Sequence, residues 1–74
     1  MQRYKNMSGD SGVIAYEIRD DGIEVQFRDD HVYLYTTQSA GYENIETMKK
    51  LAIAGRGLST FISTTVRHRY LKKS

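Results

Sequence analysis

Tyr33 and Tyr35 flank Leu34 in an alternating run, and they are the residues of this chain best suited to hold something flat. Two tyrosines spaced this way on a strand project from one face of a sheet. They form either an aromatic layer of the core or a platform on which bases stack. A single-stranded nucleic acid also needs cations to neutralise its phosphates. Arg28, Arg56, Arg67 and Arg69, with Lys72 and Lys73, can supply them. The formal charge of +2 is unevenly spread. Residues 1–37 hold four Lys or Arg against seven Asp or Glu, and residues 38–74 hold seven against two. The C-terminal half is therefore a candidate surface for a polyanion, although by count alone it reads first as a solvated helix face.

Other constellations carry less chemistry. Gly55-Arg56-Gly57 has the amides and the arginine of a phosphate nest, but it reads first as a plain turn between two helices. Its spacing is not that of a P-loop. Gly9-Asp10-Ser11-Gly12 has the look of a serine nucleophile's surroundings, yet a chain this short cannot hold a triad and an oxyanion hole. It reads as a polar turn. His31 and His68 lie far apart with no carboxylate spaced to orient either, so both are expected at the surface. Asp20-Asp21 and Asp29-Asp30 lack the ligand spacing of a calcium loop. No catalytic residue, metal ligand or cofactor site is expected.

The elements that position these residues follow from the hydrophobic period. Residues 13–19 alternate, with Ile14, Tyr16 and Ile18 on one side. Asp20-Asp21-Gly22 supplies turn chemistry. Residues 23–28 alternate again, with Ile23, Val25 and Phe27 on one side. Asp29-Asp30 makes a second tight turn, and residues 31–37 are rich in β-branched and aromatic types. The period then becomes helical. Ser39 is the expected N-cap, Glu43 falls in the first turn, and Ile45, Met48, Leu51 and Ala52 share a face. Gly55 ends the first helix, and a second is expected over 58–70, with Leu58, Phe61, Ile62 and Val66 as its stripe.

The predicted fold class is α+β: a three-stranded antiparallel meander followed by two helices packed on one sheet face, in the order β-β-β-α-α. Residues 1–12 are expected to form a polar arm and residues 13–74 a single domain. Ile14, Tyr16, Ile18, Ile23, Val25 and Phe27 should face the helices. For the third strand two parities are open. Val32 and Leu34 pointing inward leave Tyr33 and Tyr35 on the open face; the reverse exposes Val32 and Leu34. The first is expected, because two buried phenols require partners for two hydroxyls.

Length and composition bound the class. Seventy-four residues make one domain that buries only roughly 60% of its unfolded surface. There is no cysteine, and no apolar run approaches the ~20 residues of a membrane span. The first residues have no apolar segment of a secretory signal, so a cytoplasmic protein is expected, with no membrane partner.

The order of these pieces resembles the KTSC domain, named for its place at the C-terminus of some lysyl-tRNA synthetases. The resemblance spans about residues 8–70. It rests on Ser8-Gly9-Asp10-Ser11-Gly12 leading into Ile14-Ala15-Tyr16-Glu17, on Val25-Gln26-Phe27-Arg28-Asp29, and on Val32-Tyr33-Leu34-Tyr35 as the family's Y-x-Y. Ala54-Gly55-Arg56-Gly57-Leu58 then leads to Phe61-Ile62 and Val66-Arg67-His68-Arg69-Tyr70. Asp30 departs from the pattern, since relatives often carry glycine there. The family includes small bacterial and phage proteins and has no established activity; an RNA-binding role has been suggested. Taken with the residues themselves, the leading expectation is a non-enzymatic binding module for RNA or another polyanion. Tyr33 and Tyr35 would stack, while Arg28, Arg56, Arg67 and Arg69 would meet phosphates. The alternative is a protein-interaction or self-association domain using the open sheet face or an edge strand, as a monomer or weak dimer.

Overall fold

A computed structural model describes residues 1–74. The chain is an α+β domain built on one antiparallel sheet. Its strands are β1 (Gln2–Arg3), β2 (Val13–Arg19), β3 (Gly22–Phe27), β4 (Val32–Thr36) and β5 (Lys72–Lys73), in that spatial order. Between β4 and β5 come α1 (Thr37–Ala40), α2 (Tyr42–Ala54), α3 (Leu58–Phe61) and a π-helical turn over Ile62–Val66. The expected meander is the middle of this sheet, β2-β3-β4. The termini add one short strand to each edge. No helix is long and apolar enough to cross a membrane.

Residues 1–12 do not form a loose arm. Gln2 and Arg3 pair with Tyr16 and Ala15. Tyr4 turns into the core, and the Leu58 N–H donates to its hydroxyl at 3.3 Å. The Met7 N–H donates to the Gly55 carbonyl at 2.7 Å. This segment therefore fastens the α2–α3 link to the sheet. Gly55 has φ +78°, and a side chain there would meet Lys5.

The helices differ in detail from the sequence expectation. Thr36, not Ser39, opens the helical region: its side chain accepts from the Ser39 N–H, and Ser39 Oγ accepts from the Thr36 N–H. This reciprocal pair caps a single turn that ends at Gly41 (φ +96°), after which α2 begins with Glu43 in its first turn. Ile45, Met48 and Ala52 are buried, as the period predicts. The second helix stops at Val66, short of the expected Tyr70. Ser63 and Thr64 hydroxyls both donate to the Thr60 carbonyl, competing with the backbone ladder. The Arg67 N–H reaches back five residues to Ile62, and Arg67 takes φ +22°. The chain then turns, so that Tyr70 lies against the sheet and Lys72–Lys73 pair with β4.

Two side-chain parities are corrected by the register. Ile23 pairs with Tyr35 and Val25 with Tyr33, so both tyrosines share the helix-covered face with Ile23 and Val25. The expected outward orientation does not occur: Tyr35 is 1% exposed and Tyr33 is half-buried. Val32 and Leu34, opposite Gln26 and Glu24, take the outer face. The second correction is on β2. Val13 pairs with Phe27 but Ala15 with Gln26, so Ile14 is the extra residue of a bulge. The bulge brings Val13 and Tyr16 to the same covered face and turns Ile14 to solvent. Tyr16, opposite Val25, is buried as expected, whereas Ile18, opposite Ile23 on the same face, lies at the uncovered edge and is exposed.

Candidate ligand-binding cleft

The covered face of the sheet is not fully covered. At its β5 side a cleft of about 340 Å³ opens between β4, the π-helical turn and the C-terminal segment. Its walls are aromatic. The Tyr33 ring meets Phe27 edge-on at 5.4 Å and Tyr70 edge-on at 5.0 Å, and lies nearly parallel to Tyr35 at 6.4 Å. Edge-to-face pairs of this kind are the favoured arrangement of aromatic rings. Tyr35 is the sealed base of the group. Its hydroxyl donates to the Arg67 carbonyl over a long 3.4 Å. Burial, with Tyr33 and Tyr70 adding to it, pushes the Tyr35 phenol up to about 12, so it stays neutral across the physiological range.

The rim is polar and mostly cationic. Arg67, His68 and Lys73 line it, with Asp29 the one acid. Lys73 Nζ stands 5.4 Å from the Tyr33 ring centre, within cation–π reach. β5 holds it there: Ser74 and Val32 exchange backbone hydrogen bonds of 2.8 and 3.1 Å, and Lys73 pairs with Tyr33. The arrangement can hold a flat ring against aromatic edges and an anion beside the cations. The Ser63 hydroxyl, which also lines the cleft, donates to the Thr60 carbonyl and makes no hydrogen bond with His68.

Of the residues singled out from the sequence, the fold brings together Tyr33, Tyr35 and Arg67. Tyr35 cannot stack on a guest, because it is sealed. Arg28 is exposed in the loop after β3, where its N–H donates to the Gly12 carbonyl. Arg56 lies beside Met7 and Ser8 at the α2–α3 link, and Arg69 is exposed beyond the π-helical turn. None of these three lines the cleft. Gly55-Arg56-Gly57 is a helix–helix turn, and two of its three amides are used within it. Gly55 and Arg56 donate to Leu51, and Leu58 donates to Tyr4. Ser11 Oγ accepts from the Val13 N–H, so the Gly9–Gly12 stretch is the polar turn expected. His31 and His68 are exposed, also as expected.

Sequence reasoning missed Tyr70 and Phe27 as cleft walls. Phe27 alternates with core residues, and Tyr70 extends the stripe of a helix that in fact ends before it. Nothing local marks either. Lys73, noticed only as part of a basic tail, is the cation nearest an aromatic face.

The open face of the sheet is charged rather than aromatic. Arg19 and Glu24 pair across it at 3.0 Å, and the N-terminal amine lies 3.8 Å from Glu17. The chain matches no family model, no curated protein and no solved structure.

Proposed function

We propose that the chain is a small non-enzymatic binding module for single-stranded RNA or a related polyanion, and that the cleft beside Tyr33 is its contact surface. One observation carries this reading: half-buried aromatic rings and a cationic rim meet in a single concavity. Aromatic rings take bases, and cations take phosphates. Arg67 and Lys73 bring charge from the basic C-terminal half to the cleft, and the KTSC resemblance points to the same class. The contact set is narrower than the sequence suggested: Tyr33 and Arg67, joined by Tyr70 and Lys73, with Tyr35 supporting from below.

Binding to a mixed single-stranded RNA pool tests it. The parent should lose affinity steeply as salt rises, and Arg67→Ala should flatten the log–log salt slope by about 0.7. Tyr33→Leu should weaken binding with the fold intact. A parent that binds no RNA at low salt, or variants that bind like the parent, would reject the proposal.

A second reading is favoured by the β2 edge. β1 reaches only as far as Tyr16, so Glu17, Ile18 and Arg19 have no strand on that side, and Ile18 is 40% exposed. An unpaired edge admits strand addition from a partner chain. Sedimentation over a wide concentration range decides whether that partner is a second copy.

A further inference from the structure

Resting on the reading of the cleft as a nucleic-acid contact, we infer that it accepts one nucleotide rather than a run of stacked bases. The base would sit against Tyr33 and Tyr70, and the phosphate would lie between Arg67 and Lys73. Three observations carry this. The first is ring geometry. Successive stacked bases need aromatic rings presented roughly parallel, as on sheet platforms that hold two or three bases. Tyr33 and Tyr70 are inclined at 77° with centres 5.0 Å apart. Two rings so placed give one guest a face and an edge; they do not continue a stack. The one ring nearly parallel to Tyr33, at 19°, is Tyr35, which is sealed.

The second observation is size. Ligand sites run from about 300 to 1,000 Å³. At about 340 Å³ the cleft is near the lower bound, with room for one flat ring and its substituent. The third is charge. Arg67 and Lys73 face the opening against Asp29 alone, so a neutral nucleoside leaves the cations unused and bare phosphate leaves the rings unused. A ligand carrying both a base and a phosphate uses both. Lys73 already holds its ammonium near the Tyr33 ring, so entry of a base moves that ammonium aside to where it can meet the phosphate.

Titration of isotopically labelled protein with adenosine 5′-monophosphate, adenosine, inorganic phosphate and a hexaadenylate strand tests this by NMR. The monophosphate should saturate, shift the signals of Tyr33, Tyr70 and Arg67, and give contacts between base protons and the Tyr33 ring. Adenosine and phosphate should each bind roughly tenfold more weakly. Arg67→Ala should remove most of the advantage of the monophosphate over adenosine, and Tyr33→Leu should lower affinity for both. If the strand binds with a steep salt dependence while the monophosphate leaves the cleft signals still, the single-nucleotide inference is wrong and the broader reading survives. If the monophosphate binds in the cleft and the strand does not bind, the inference stands and the strand-binding reading falls. A monophosphate that binds both variants as tightly as the parent overturns the inference.

Discussion

β1 and β5 are both two-residue edge strands, and each lies close to a tyrosine that turns toward the core. At the β1 edge Tyr4 is 3% exposed, and its hydroxyl takes the Leu58 N–H. At the β5 edge Tyr70 is half-buried and borders an open cleft with cations on its rim. The same device, a terminal strand carrying an aromatic ring, closes the core on one side and leaves it open on the other. A domain of this size needs its first edge sealed, because its whole stability is about 4–11 kcal/mol at 0.05–0.15 kcal/mol per residue. Surplus aromatic surface at the second edge is available for a ligand.

The contrast breaks most clearly by truncating the two rings. Tyr4→Ala removes a buried aromatic side chain and orphans a backbone donor, and should cost about 3–5 kcal/mol. Tyr70→Ala removes a half-buried one, and should cost about 1–2 kcal/mol. Urea unfolding of both variants reads the difference. Equal losses would mean that the β5 edge is as structural as the β1 edge. If Tyr4→Ala does not fold, Tyr4→Phe serves: it keeps the ring and leaves the Leu58 N–H unsatisfied, for about 1–3 kcal/mol.

Much of this architecture was legible, and the losses have definite causes. Two apolar alternations and a change to helical period placed β2, β3, β4 and the buried stripe Ile45, Met48 and Ala52. The edge strands were not legible, because two residues have no period. Tyr4, a lone aromatic in a polar stretch, gave no sign that it was a core residue. Parity failed on β4 for a different reason. Alternation says which residues share a face, but the face is set by pairing, here Ile23 with Tyr35. The expectation that two phenols resist burial was overruled in part: only Tyr35 is sealed, its hydroxyl has a carbonyl partner, and Tyr33 keeps some surface. On β2 the bulge at Ile14 broke the alternation itself.

Tyr35, beneath the cleft, links the two properties through pH. Its phenol is held near 12 in the folded chain, against about 10 unfolded. Between those values the unfolded chain has released the proton and the folded chain has kept it, so stability falls as pH rises. The full contribution is present below about pH 10 and is lost by about pH 12, amounting to roughly 3 kcal/mol. Thermal unfolding at pH 9 and pH 11.5 should show the loss, and Tyr35→Phe should remove most of it. Phenolate absorbance should show an ionisation near 12 that Tyr35→Phe removes. A parent and a Tyr35→Phe variant with the same slope would mean that the Tyr35 phenol is not held away from water beneath the cleft.

The smallest expected effect lies in the loop that carries Asp29 to the cleft rim. The Asp30 N–H donates to the Phe27 carbonyl, and the Phe27 N–H to the His31 carbonyl. This closes a three-residue hairpin loop whose last residue takes the left-handed conformation. Asp30 is that residue, at φ +70°. A left-handed conformation costs an L residue about 1–2 kcal/mol, less for Asp than for most, while glycine adopts it freely but loses more entropy on folding. The balance predicts that Asp30→Gly raises stability by about 0.5 kcal/mol and Asp30→Ala lowers it by about the same. Both should appear as shifts of the urea midpoint with an unchanged slope. Gly22, at the other hairpin, is bound by the opposite constraint. It keeps an ordinary φ, and a side chain there would strike the Tyr35 carbonyl of β4, so Gly22→Ala should be clearly destabilising. If Asp30→Ala stabilised as much as Asp30→Gly, the carboxylate rather than the backbone would be the source of strain. The acid cluster at that end of the sheet would then be what the cleft's cations offset.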